Sequence, residues 1–145
     1  MIIRKWLFAD NLSVAKIERE SFSDAWTMEM ISDTFMQDNF IGFVAEENGK
    51  VIGYIALTYC LDEAEINIIA VTRNFRRKGV ATALLNKSYE TLIEAGIDKI
   101  FLEVRKSNKS AQSLYENQGF KHIGIRPKYY NNVEDALLMR KDLKE

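Results

Sequence analysis

The chain has 145 residues, 47% of them apolar, and a formal net charge of -1. That is one domain's length with enough apolar content for a packed core, and the balanced charge excludes a nucleic-acid surface held by bulk positive potential. A single cysteine, Cys60, excludes an internal disulfide, and a single histidine, His122, excludes a histidine metal cluster, so no metal is expected. The opening Met1 to Phe8 is too short and interrupted for a signal peptide, and no apolar run approaches the ~18 residues of a membrane span, so the expectation is a soluble cytoplasmic protein.

In chain order, Ile2 to Trp6 reads as a first strand. A helix follows over Asp10 to Phe22, with Leu12, Ala15, Ile17 and Phe22 near helical spacing and Asp10 or Asn11 as its cap. Ser23 to Trp26 is a break, and Thr27 to Met36 a second helix with Met28, Ile31 and Phe35 along one stripe. Ile41 to Glu47 and Lys50 to Tyr59 flank Asn48-Gly49, the signature of a two-residue hairpin turn. Asp62 to Val71 is the next strand of that meander. A helix from about Val80 presents Ala81, Leu84, Leu85, Tyr89, Leu92 and Ile93 on one face and ends at Gly96. Ile97 to Arg105 is a further apolar strand, so strand, helix and strand form a βαβ unit with parallel strands. Asn108 caps a helix to Gln118 with Ala111, Leu114 and Tyr115 inward, and Gly119 closes it. Phe120 to Arg126 and Ala136 to Met139 read as a final antiparallel pair, with Pro127 to Glu134 as the loop between them. The pattern is a mixed α/β sheet with helices on its faces.

The chemistry concentrates where the strand ending at Val71 feeds Arg76-Arg77-Lys78-Gly79-Val80-Ala81 and then a helix. First-turn amides of a helix have no internal partner, and the dipole and flanking cations favour an anion there. Gly79 allows close approach and a positive φ. The turn predicts a phosphate or pyrophosphate held by main-chain amides; an ordinary connection with solvated arginines stays open beside it. The chain has no G-x-x-x-x-G-K-[ST], and Gly79 stands alone where a dinucleotide fold needs G-x-G-x-x-G.

Glu103 interrupts the apolar strand Phe101-Leu102-Glu103-Val104-Arg105. It either faces water or lines a cleft as a general base. Tyr115 is either a core aromatic or a proton donor to a leaving group. Trp26, Tyr129 and Tyr130 lie in predicted loops, where bulky aromatics either contact a substrate or pin the loop.

These pieces together resemble the GNAT superfamily of acetyl-CoA-dependent N-acetyltransferases. Arg76 to Ala81 fits its [QR]-x-x-G-x-[GA] signature after the right strand. Asn108-x-x-Ala111-x-x-Leu114-Tyr115-Glu116-x-x-Gly119-Phe120 is similar to its second landmark. Leu102-Glu103-Val104-Arg105 and the tail Arg126-Pro127-Lys128-Tyr129-Tyr130 with Glu134-Asp135-Ala136 resemble the branch acting on the N-terminal alanine of a ribosomal protein. The resemblance implies one N-acetyltransferase domain over 1–145, with about seven strands, about four helices and a splayed parallel pair. It implies that Ile69, Ala70 and Val71 pair with the pantetheine arm of acetyl-CoA. Arg76, Arg77, Lys78, Gly79, Val80, Ala81 and Thr82 would surround the pyrophosphate, and Asn108 would touch the coenzyme. Glu103 would be general base, Tyr115 general acid, and Trp26, Tyr129 and Tyr130 acceptor-binding. The chain departs from the family's habits on the acceptor side: Asn67 and Ile68 stand exchanged, and Ala25 replaces a proline before Trp26.

The implied reaction is direct attack of an amine on the thioester. A thiol near pKa ~8.5 against a phenol near ~10 makes proton transfer to the leaving sulfur uphill by only ~2 kcal/mol. Freeing a lysine amine costs roughly 3 kcal/mol more at neutral pH than freeing an α-amine, which favours a protein N-terminus. Asp62, Glu63, Glu65, Glu134 and Asp135 either receive a basic N-terminal tail or are solvated surface charge. A lysine or small-amine acceptor, and a non-catalytic acetyl-CoA-binding module, remain as alternatives.

Overall fold

The computed structural model describes residues 1–130 and 133–143, with Tyr130 described by its backbone alone. The elements are β1 (Ile2–Lys5), α1 (Asn11–Ser21), α2 (Met28–Phe35), β2 (Phe40–Glu47), β3 (Lys50–Cys60), β4 (Glu63–Val71), α3 (Val80–Glu94), β5 (Lys99–Arg105), α4 (Lys109–Asn117), β6 (Lys121–Tyr130) and β7 (Glu134–Asp142). The strands form one 7-stranded sheet in the order β1-β2-β3-β4-β5-β7-β6. Every neighbouring pair is antiparallel except β4 and β5. Among the described residues no helix is long and apolar enough to cross a membrane.

The β4–β5 pair is unusual in how soon it ends. Glu63, Ala64 and Glu65 pair with Lys99, Ile100 and Phe101, and pairing stops there although both strands continue. A β-bulge in β4 explains the parting. Ile66 opposes Leu57 and Ile68 opposes Ala56, so Asn67 is an extra residue with no partner on β3. A bulge bends and twists its strand. β4 stays with β3 to Val71, while β5 pairs along its whole length with β7. A wedge opens between the two parallel strands.

Each face of the sheet has its own core. Leu84, Leu85 and Leu92 of α3 and Tyr115 of α4 pack on Ile55, Leu57 and Ile100. Val14 and Ile17 of α1 and Ile31 of α2 pack on Trp6, Val44 and Tyr54 of the other face. The turn between β2 and β3 puts Asn48 at φ 51° and Gly49 at φ 80°, the two left-handed residues that a right-twisted hairpin demands.

Several sequence expectations shift. Ile93 is 52% exposed; α3 buries Ser88 instead, whose hydroxyl donates to the Leu84 carbonyl. Asp10 and Asn11 do not cap α1 with their side chains. Asp10 accepts both guanidinium nitrogens of Arg4 at 2.9 Å and the Leu7 N–H at 2.7 Å, while Asn11 Oδ1 accepts the buried Trp6 indole N–H at 2.7 Å. Tertiary partners outbid the local cap. Thr27 does cap α2, accepting from Met30 N–H at 3.1 Å. The segment expected as a loop from Pro127 is mostly strand: β6 runs to Tyr130, which pairs with Glu134 across an irregular register containing Lys128 at φ 50°. Pro127 falls in that irregular stretch of an edge strand, where a ladder N–H is dispensable. Asn131 and Asn132 lie outside the described residues.

A buried carboxylate ties α1 to the sheet. Glu18 is 2% exposed; it accepts the Tyr54 phenol on one oxygen and the Trp26 N–H at 3.0 Å on the other. Burial pushes its carboxyl above the usual range, and burial together with this carboxylate raises the Tyr54 phenol strongly. Tyr54→Phe strips one donor from a carboxylate that is almost wholly buried. Urea unfolding should show a loss of about 1–3 kcal/mol; an unchanged midpoint would mean the bond adds nothing.

Candidate functional site

The wedge between β4 and β5 opens into a cleft of about 720 Å³. One wall is the end of β4, Ile69 to Val71, whose edge has left β5 and so offers main-chain groups without a strand partner there. The other wall is α4, through Asn108, Ala111, Leu114 and Tyr115. Arg76, Arg77 and Gly79 to Thr82 close one end.

That end is built for an anion. Arg77 at φ 62° and Gly79 at φ 82° are both left-handed, and a Cβ on Gly79 would meet nothing within 4 Å, so glycine is required there by φ rather than by space. Alternating handedness turns successive N–H groups toward one concavity. The first backbone bond into α3 runs from Ala83 N–H to the Gly79 carbonyl at 3.0 Å, which leaves the Val80, Ala81 and Thr82 amides without a helical acceptor. Arg76 contributes its charge from a fixed place: its Nε donates to the Val71 carbonyl at 2.8 Å and another guanidinium nitrogen to Ser21 Oγ at 3.2 Å. Lys78 stands outside the lining, with its ammonium 5.5 Å from the Phe75 ring centroid. Asn108 spends its side-chain oxygen on capping α4, accepting from Ala111 N–H at 3.1 Å, and still lines the cleft.

A second cavity, about 200 Å³, adjoins on the α1 side. Glu103 and Tyr115 both line it, with Trp26, Asp24, Asn67 and Arg105. Phe22, Ile69, Asn108, Ala111 and Tyr115 border both spaces, so the two are adjacent at these residues. Tyr115 is buried, its ring edge-on to Phe120 at 5.5 Å. Glu103 takes Arg126 on Oε1 at 2.9 Å. Arg126 also stacks on Tyr129, 4.6 Å from its ring centroid. Tyr129 thus stands beside the site through Arg126, and the Tyr130 side chain lies outside the described residues. Arg105 pairs with Asp24 from the α1–α2 loop and with Glu134 at 3.1 Å, tying two walls together. Asn67, the bulge residue, has its side-chain oxygen buried without a hydrogen-bond partner among the described residues.

Of the acidic residues expected to meet a basic tail, most are engaged internally. Asp62 pairs with Lys99, Glu134 with Arg105 and Ser107 N–H, and Asp135 with Lys128 N–H. Glu65 is different: the residue is exposed, yet partial desolvation of its carboxyl raises it above the ordinary range, with Glu103 adding to the rise and Arg126 opposing it. Sequence reasoning gave no site role to Glu18, Asp24, Ser21 or Phe22. Glu18 had a visible signal, since it falls four residues after Val14 on the apolar face of α1, where a carboxylate needs partners.

Residues 11–120 match the Acetyltransferase (GNAT) family. The chain is 32% identical over 126 residues to the ribosomal protein bS18-alanine N-acetyltransferase of Escherichia coli strain K12, covering 85% of this chain and 84% of that protein. It is 31% identical over 150 residues to an N-alpha-acetyltransferase of Sulfurisphaera tokodaii, covering 94% of this chain and 90% of that one. The crystal structure of the ribosomal-protein-S18-alanine N-acetyltransferase from Escherichia coli superposes with a TM-score of 0.93 at 29% identity, over 99% of this chain and 94% of that one. With the family matched over most of its length and the same fold around the wedge, this chain belongs to the GNAT family of N-acetyltransferases.

Proposed function

We propose that the chain uses acetyl-CoA to acetylate the α-amino group of a protein N-terminus, an alanine of a small-subunit ribosomal protein. The observation that carries this reading is that the two cavities share Tyr115: a cleft of about 720 Å³ with the Gly79 turn at one end lies beside a smaller space lined by Glu103. The names of the similar bacterial and archaeal proteins, one specific for an alanine N-terminus and one for α-amines, support the acceptor.

The residues present fit the coenzyme. The edge of Ile69 to Val71, which has no strand partner on the β5 side, suits an amide-bearing arm, and the Val80, Ala81 and Thr82 amides with the left-handed Arg77 and Gly79 suit a pyrophosphate. Bound acetyl-CoA supplies an acetyl group already activated as a thioester, so no enzyme nucleophile is needed. Glu103 accepts the proton that the acceptor ammonium must lose, and Tyr115 donates a hydrogen bond or proton to the departing sulfur. The backbone N–H groups of Ile69 to Val71 meet the negative charge that gathers on the carbonyl oxygen. Cys60 is exposed at the far end of β3 and takes no part. An α-amine is the better acceptor for one carboxylate base, since it gives up its proton more readily than lysine by roughly 3 kcal/mol.

Incubation with acetyl-CoA and a short peptide beginning with alanine, against the same peptide N-blocked with an internal lysine and against polyamines, tests the acceptor. Mass spectrometry should find the acetyl group on the α-amine; transfer only to lysine or to small amines would overturn the assignment. Glu103→Gln and Tyr115→Phe should each lower turnover by about 10² or more while acetyl-CoA affinity holds, the usual scale of acid–base catalysis. Full activity in both would remove the roles given to them.

Gly79→Ala isolates the anion loop. A left-handed alanine costs roughly 1–2 kcal/mol, so the unliganded loop relaxes and must be drawn back on binding. KM for acetyl-CoA should rise by about tenfold with turnover at saturation unchanged; an unaltered KM would mean that the loop does not grip the coenzyme.

A further inference from the structure

Asn67 stands where the wedge begins. Glu65 and Phe101 make the last parallel pair, and two residues further along each strand come Asn67 and Glu103, one on each side of the opening gap. They share the α1 face of the sheet: Ile66, Leu102 and Val104 turn into the α3 core, so alternation carries Asn67 and Glu103 the other way. Both line the smaller cavity. The Asn67 side-chain oxygen is buried without a hydrogen-bond partner, and among the described residues none holds the amide nitrogen either. Glu103 gives Oε1 to Arg126 and has no donor on Oε2 among the described residues. The charged groups around them are engaged: Glu18 with Tyr54 and the Trp26 N–H, and Asp24 and Glu134 with Arg105. Two acceptor oxygens without donors therefore flank one gap. A buried acceptor without a partner carries its full desolvation penalty, so the complement of this gap is a group that brings N–H donors.

We propose that Asn67 is a substrate-binding residue: its side-chain oxygen accepts one N–H of the acceptor's α-amino group while Glu103 takes the proton. This rests on the reading that the smaller cavity receives the acceptor. No hydrogen bond fixes the Asn67 amide, and its terminal torsion is broad and two-fold, so a turn of the amide presents the oxygen to an incoming cation. An α-ammonium brings three N–H groups. One gives its proton to Glu103, which leaves a neutral amine with two N–H groups and a lone pair. An N–H held by Asn67 stops the amine from turning, so the lone pair is aimed at the acetyl carbon. The bond strengthens as the nitrogen gains positive character in forming the new C–N bond. A neutral amide oxygen does this without the like-charge repulsion by which a second carboxylate would make Glu103 hold its proton.

The test is steady-state kinetics with acetyl-CoA and a peptide beginning with alanine, beside inhibition by the same peptide with a propionyl group in place of that alanine. The propionyl peptide keeps the shape and brings no ammonium. Asn67→Leu should raise KM for the alanine peptide by about tenfold, the scale of a hydrogen bond to a charged group. KM for acetyl-CoA and inhibition by the propionyl peptide should not change. The unfolding midpoint of Asn67→Leu should stay level or rise, because the substitution removes a buried acceptor that had no partner. Equal weakening of both peptides would mean that Asn67 only shapes the cavity and would overturn the contact, as would an unchanged KM. A lowered midpoint in both Asn67→Leu and Asn67→Ala would mean that the amide has a partner in the free enzyme, and overturns the contact too. Failure of the unmodified enzyme to acetylate the peptide's α-amine defeats the acceptor reading and this contact with it, whereas normal transfer that Asn67→Leu leaves unmoved defeats only the contact.

Discussion

One extra residue in a strand governs this structure. Asn67 has no partner on β3, so β4 bends, and β4 and β5 part after pairs that end at Glu65 and Phe101. Were the ladder continuous, the sheet would be closed and Ile69 to Val71 would spend their main-chain groups on β5. The sheet tolerates the opening because each diverging strand is satisfied on its other side, β4 by β3 and β5 by β7 along its full length. Insertion of β7 between β5 and β6 is therefore part of the same design: it holds Glu103 rigidly at the lip of a gap that β4 has vacated.

The anion end is preorganised by backbone strain. A left-handed Arg77 is a minority conformation for a residue with a side chain, and its cost is met by neighbours that leave the turn no freedom. Phe75 N–H bonds the Thr72 carbonyl and Arg76 N–H the Arg73 carbonyl, and the Arg76 side chain clasps the end of β4 to the last turn of α1. A loop fixed in this way presents its amides without reorganisation, which is where affinity for a charged, flexible ligand is gained or lost.

Elements with a local cause were legible in the sequence. Asn48-Gly49, the Thr27 start of α2, the Asn108 cap and the strand–turn–helix around Gly79 are each dictated by residues within a turn of one another. What was missed depends on distant partners. Asp10 and Asn11 looked like caps, yet Arg4 and Trp6 claim their side chains. The irregular end of β6 could not be read because its ladder is made by β7, across a stretch that proline and lysine composition describes equally well as loop. Motif order and family resemblance brought Glu103, Tyr115 and the Gly79 turn forward; Arg126 was visible only as part of a tail motif, and its pairing with Glu103 could not be read because it depends on how separate strands align.

The two halves of the cleft are thus held by different physics. In the proposed function the coenzyme meets main-chain amides and a helix end, which any sequence keeping Gly79 and the strand divergence can supply. On the other side the smaller cavity is lined by charged side chains, Glu18, Asp24, Glu103 and Arg105, each set by a single residue choice. Backbone recognition is indifferent to most substitutions, whereas a charge network changes its preferred cation when one member is exchanged. A fold arranged this way can keep one donor while its acceptor varies, and the departure at Asn67 falls on the half where such variation has chemical consequence.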